Sequence, residues 1–208
     1  MGEESFNRRV FINCPFDDDY KSLLRPLLFT IVDLGFQPRI ASERSDAGEI
    51  RINKICDLIR GSRYSIHDIS RLRAGAADEL FRLNMAFELG IDYGSRRFGG
   101  DRGLSSKRFL ILETERFDYM KAFSDVSGMD IKSHQDEPDR VVLAVRNWFV
   151  ETVGLRSVDS PTKIWYRFID FAADFYEARQ ADGFTDEDLN MMPVPEYIDF
   201  ISDWVENN

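Results

Sequence analysis

Two spacings of apolar residues alternate along the chain. Short continuous apolar runs are separated by longer stretches in which apolar residues recur every three or four positions. The first run, Arg9 to Asn13, predicts a strand. Tyr20 to Leu34 has helical spacing, with Leu23, Leu24, Leu27, Leu28, Ile31 and Val32 on one side, and Gly35 is a natural stop. Phe36 to Ala41 predicts a second strand, Glu49 to Arg60 a helix, Tyr64 to Ser70 a third strand and Arg108 to Leu112 a fourth. Pro138 to Val153 predicts a helix opened by its proline. Between the third and fourth strands, Phe81 to Ile91 is apolar on almost every side and predicts a buried helix that Gly94 ends. Arg96 to Ser106 reads as a glycine-bearing loop, and residues 113–137 are mixed, with a short helix at Tyr119–Val126.

Strand and helix alternate four times, which predicts an α/β three-layer sandwich around a central parallel sheet, flavodoxin-like or TIR-like in kind. This domain is expected to span residues 1–156. Residues 157–208 form a second region, helical, acidic and rich in aromatics, with stripes over Lys163–Arg179 and Tyr197–Val205 that read as packing or docking surface.

Charge sharpens that division. Residues 159–208 hold twelve acidic and three basic side chains, whereas the rest is balanced at 25 acidic to 24 basic. Neither part has the basic stripe of a phosphate-backbone binder, so nucleic acid is an unfavoured partner. No apolar run reaches membrane-spanning length, the start does not read as a signal peptide, and Cys14 and Cys56 lack paired spacing. The expectation is a cytoplasmic protein with no membrane partner, no metal and no required cofactor.

Candidate chemistry follows from the sheet. In an open parallel sheet, ligands bind beyond the C-terminal ends of the strands. That selects Asn13, Pro15 and Phe16 after the first strand, Glu43, Arg44 and Asp46 after the second, and Asp68, Ser70 and Arg71 after the third. The apolar helix that follows carries Asn84 and Glu88 on one face. A carboxylate among apolar neighbours must be paired, hydrogen-bonded or at a cleft wall. Glu88 therefore reads either as an acting group, suited to stabilising or attacking a sugar anomeric carbon, or as a structural residue paired with an arginine. His67 is expected to pack in the core, His134 to be exposed in a polar loop, and Asp17–Asp19 to start a helix. Cys14 has no partner base in sequence. No GxGxxG follows the first strand and no Walker motif is present.

Three segments together resemble bacterial TIR-like proteins of the nucleoside 2-deoxyribosyltransferase and TIR superfamily. They are Val10-Phe11-Ile12-Asn13-Cys14-Pro15-Phe16 with a tyrosine soon after, Tyr64-Ser65-Ile66-His67-Asp68-Ile69-Ser70-Arg71, and Asn84-Met85-Ala86-Phe87-Glu88-Leu89-Gly90. The resemblance covers about residues 8–153. It implies that Glu88 is the catalytic glutamate, that Asn13 and Phe16 line a nucleotide pocket, and that Asp68 and Ser70 border the sugar. It further implies cleavage or transfer at an N-glycosidic bond, with NAD as the substrate, a place in anti-phage defence, and a C-terminal region that makes a homo-oligomer or grips a partner protein. The alternative left open is a non-catalytic module that senses a nucleotide or binds a protein.

Overall fold

The computed structural model of the chain describes residues 3–70, 83–100, 103–121, 123–126 and 128–208. The strands are β1 (Arg9–Asn13), β2 (Gln37–Ile40), β3 (Tyr64–Asp68), β4 (Arg108–Glu113) and β5 (Ile131–Ser133). They form one parallel sheet in the order β2-β1-β3-β4-β5. The helices are α1 (Glu3–Arg8), α2 (Lys21–Asp33), α3 (Arg51–Arg60), α4 (Asn84–Phe98), α5 (Pro138–Trp148), α6 (Pro161–Ala181), α7 (Asp186–Met191) and α8 (Val194–Asn207). The expected α/β three-layer architecture with a parallel sheet is present.

The central strands are buried on both faces, as a parallel sheet between helical layers requires. All five residues of β3 are buried, and so are the last four of β1. On one face Val10, Ile12, Ile66, Leu110 and Leu112 meet α2 and α5. On the other, Phe11 packs with Ile55, Leu58 and Ile59 of α3, while Ile111 packs with Met85 and Leu89 of α4. The first face has a further cover. Ile164, Phe168, Phe171 and Phe175 of α6, with Tyr197 and Ile201 of α8, belong to the same apolar cluster as α2. Phe29 of α2 stacks on Phe171 at 5.5 Å and meets Phe168 edge-on at 5.7 Å. Polar ties reinforce this seam: Arg167 Nε lies 2.9 Å from Asp33 Oδ1, and Lys21 and Arg25 donate to the carbonyls of Asn190 and Leu189.

Several expectations need correction. A fifth strand, β5, lies within the stretch read as mixed, and two 3-10 turns replace the helix expected at 119–126. At three residues β5 is too short for an alternating pattern to register. The α4 helix passes Gly94 and runs to Phe98, because one glycine costs a helix only about 1 kcal/mol. Gly99 is the true end: a Cβ there would sit 2.2 Å from the Ser95 carbonyl oxygen. Nor is α4 buried all round. Leu83, Phe87 and Phe98 are 64, 60 and 82% exposed, while Met85, Glu88, Leu89 and Asp92 face inward. The residues of that predicted helix before Leu83 lie outside the described residues.

Candidate functional site

The strand order reverses between β1 and β3, so the crevice beyond their C-terminal ends is the topological switch point of the sheet. Asn13 ends β1 and Asp68 ends β3, and both are buried. Alternation along β3 sends His67 and Asp68 to opposite faces. Each face builds its own polar cluster.

Asp68 takes the α2 side. Its Oδ2 accepts from the Tyr20 hydroxyl at 2.5 Å and lies 3.1 Å from His134 Nε2. Its Oδ1 accepts from the Ser70 backbone N–H at 2.9 Å and from the Ser70 hydroxyl. Burial alone would raise the pKa of Asp68, but the hydrogen bonds from His134, Ser70 and Tyr20 outweigh it and hold the group below the usual carboxylate range. The Tyr20 phenol is pushed well up, by burial first and by the adjacent Asp68 charge second.

His134 was expected to be exposed and is instead completely buried. It follows β5 directly, so it stands at a strand end like the other site residues. Gln135 and Asp136 both adopt left-handed backbone, φ 55°, uncommon for residues other than glycine. This turn aims the Asp136 N–H at His134 Nδ1, 3.1 Å away. Since Nδ1 accepts, the ring proton is on Nε2, which points at Ser70 Oγ (2.9 Å) and Asp68. Ser70, His134 and Asp68 thus stand together without forming a serine-nucleophile triad. The imidazole nitrogen facing the hydroxyl already carries a proton and is not free to accept one.

His67 takes the opposite side and, as expected, is packed in the core. Phe11 and Phe109 lie edge-on to its ring at 6.0 and 6.2 Å. Its Nε2 is 3.0 Å from Asp92 Oδ2 and its Nδ1 is 3.0 Å from Asn13 Nδ2. Asn13 Nδ2 also donates to the Met85 carbonyl at 2.8 Å. Asp92 Oδ1 lies 3.2 Å from Lys107 Nζ, which donates further to the carbonyls of Ile59 and Ser62. Burial works against the charge on Asp92. The His67 hydrogen bond and the Lys107 charge overcome it and bring the pKa to about 2.

Glu88 lies on α4 between the two anchor points Met85 and Asp92 and is 5% exposed. Among the described residues it makes no hydrogen bond and no ion pair, so the arginine clamp of the structural reading is not seen there. Burial raises its pKa to about 7, and among the described residues the charge of exposed Arg51, at the start of α3, works against this. The buried Cys14 thiol, just past β1, has its pKa pushed up by burial first and then by the charges of Asp68, Glu88 and Asp17.

The remaining predicted residues are dispersed. Pro15 is buried and Phe16 is exposed, both just past β1. Glu43 is held by Arg39 through two hydrogen bonds, Nε to Oε2 at 2.8 Å and Nη2 to Oε1 at 2.5 Å. Asp46 is exposed and accepts from the Gly48 N–H. Asn84 is exposed at the start of α4. Arg71 lies outside the described residues. Asp17 caps the 3-10 turn Asp18–Tyr20, the helix-start role expected of it. One cavity of about 680 Å³ borders α1, β2 and α8, and another of about 590 Å³ is lined by Tyr93, Arg96 and Phe109; Glu88 lines neither. No group able to hold a metal ion occurs among the described residues, and none of their helices is long and apolar enough to cross a membrane.

The sheet order and the crevice define the chain as an α/β protein of flavodoxin-like architecture. Set against known proteins, it matches no family model, no curated protein and no solved structure.

Proposed function

We propose that the protein cleaves or transfers the N-glycosidic bond of a nucleotide, with NAD as the substrate and Glu88 as the acting carboxylate. One observation carries the reading. Glu88 is a buried acid with no partner among the described residues, at the switch point of the sheet, poised to titrate near neutrality. Among the described residues its charge is spent on no neighbour and is available for a reaction. An anionic carboxylate stabilises the positive charge that develops on a ribose as the base departs, or attacks it to form a glycosyl intermediate. Asp68 is unsuited to that task, since four hydrogen bonds already occupy it. It organises the crevice floor.

The superfamily resemblance of the sequence supports the same assignment, and a role in anti-phage defence belongs to the proposal on that ground. The test is to incubate the protein with NAD and with nucleosides, following nicotinamide or free base. Wild type is expected to release product, and Glu88→Gln to lose about a hundredfold or more in kcat. No release by wild type, or equal release by the variant, overturns the assignment.

A second reading, a protein-interaction module, is favoured by exposed Phe87 and Phe98 of α4 and Leu83 just before it. It predicts no turnover of NAD and a partner lost on Phe87→Ser.

A further inference from the structure

One buried polar chain takes no part in the proposed chemistry. It runs from Lys107 through Asp92 and His67 to Asn13 and ends on the Met85 carbonyl. All four side chains are buried. Burying an ion pair is a poor way to gain stability, because desolvation cancels most of the attraction. What such a chain does supply is a fixed arrangement, since each member has one set of partners. The arrangement here is specific. Asn13 ends β1 and His67 pairs with it across the β1–β3 ladder. Met85 lies three residues before Glu88 and Asp92 four residues after it, so the contacts bracket the acid by one turn on either side.

We propose that Asn13 and His67 are positioning residues, which hold the two turns of α4 flanking Glu88 against the ends of β1 and β3. The inference rests on the reading of Glu88 as the acting group. It also gives Asn13 a different duty from the nucleotide contact implied by the resemblance. Both hydrogens of its amide are engaged inside the protein, one on His67 and one on Met85. Without Asn13 the first turn of α4 loses its tether to the sheet, Glu88 shifts relative to the crevice, and water reaches the carboxylate.

Two measurements on Asn13→Ala and Asn13→Leu test this. The leucine fills much the same volume but can donate to neither His67 nor the Met85 carbonyl, so it should fail as the alanine does. The first measurement is the titration of Glu88 itself, followed by carbon-13 NMR of the carboxylate, which needs no activity. Both variants should lower its midpoint by about one unit or more as solvation improves. The second is NAD turnover, where kcat should fall by about a hundredfold, the scale of an ångström's misplacement, with KM changed by less than about twofold. Phe171→Ala, destabilised at a remote site, should leave the Glu88 midpoint and kcat where they were.

An unchanged Glu88 titration in a folded variant overturns the inference, and so does a loss confined to KM, which would make Asn13 a substrate contact. If wild type turns over no NAD, the proposed activity fails, and the titration alone decides the positioning role. Should the alanine variant not fold, the leucine variant carries the test.

Discussion

At the scale of single residues, Glu88 and Asp68 show how environment gives two acids opposite characters. Glu88 is buried with no donor among the described residues, and its pKa rises to about 7; Asp68 is buried with a full set of donors, and its pKa falls. For Glu88 the folded value lies above the unfolded one near 4.5. The folded state therefore binds the extra proton, and stability declines as pH rises from about 4.5 to 7. Glu88→Gln should melt higher than wild type at pH 8, by an amount on the order of 2–3 kcal/mol, and close to wild type at pH 4. Calorimetry at the two pH values checks this. If the anion is the working form, kcat/KM for NAD should climb from pH 6 to 8 with an apparent pKa near 7. Tyr20→Phe removes one donor from Asp68 and should cost about 1.5–3 kcal/mol at neutral pH. The difference should shrink in acid, where Asp68 takes up a proton in both proteins.

Glu88 stood out in sequence because an acid among apolar neighbours must be paired, hydrogen-bonded or at a cleft wall, and the sequence left open which. His134 did not, because its neighbours are polar and acidic while its burial comes from a turn that folds it under Asp68. Glu43 shows the reverse problem: its place after β2 was right, and only the structure shows Arg39 holding it.

At the scale of elements, α4 is the piece that the rest must place. Its N-terminal cap position is Leu83, which makes no side-chain capping bond. Its orientation comes instead from interior contacts, Met85 and Leu89 on the sheet and Asp92 on Lys107. Asp92→Asn should destabilise by about 3–5 kcal/mol, because Lys107 is left charged and buried. The double substitution Asp92→Leu with Lys107→Met should regain much of that loss in urea unfolding. In wild type the contribution of Asp92 is present above its ordinary pKa of 3.8 and is lost as pH falls toward about 2. The sequence pattern found β1, β2, β3 and β4. It missed β5, whose Ile131-Lys132-Ser133 has one apolar residue and pairs only with β4. The same omission hid His134, since the rule that sites follow strand ends needs the strand first.

Across the whole molecule, the aromatic stripe of the C-terminal region is spent within the chain. Phe168, Phe171 and Phe175 cover α2, and Phe29 is completely buried between them and the sheet layer. Phe171→Ala should cost about 3–5 kcal/mol. Removing residues 157–208 should leave a chain that aggregates, because Phe29 and its neighbours then face water. Gel filtration of the truncated protein checks the second expectation, and thermal melting the first. The outward faces of these helices keep the acidic excess seen in the sequence. Tyr20 stands where the two ends of the chain meet. Its hydroxyl rests on Asp68 at the crevice floor, and the next residue, Lys21, grips the Asn190 carbonyl in α7. A force applied to the last helices therefore reaches the pocket after crossing a single peptide bond, and a spectroscopic label on α7 would register what happens beneath Asp68.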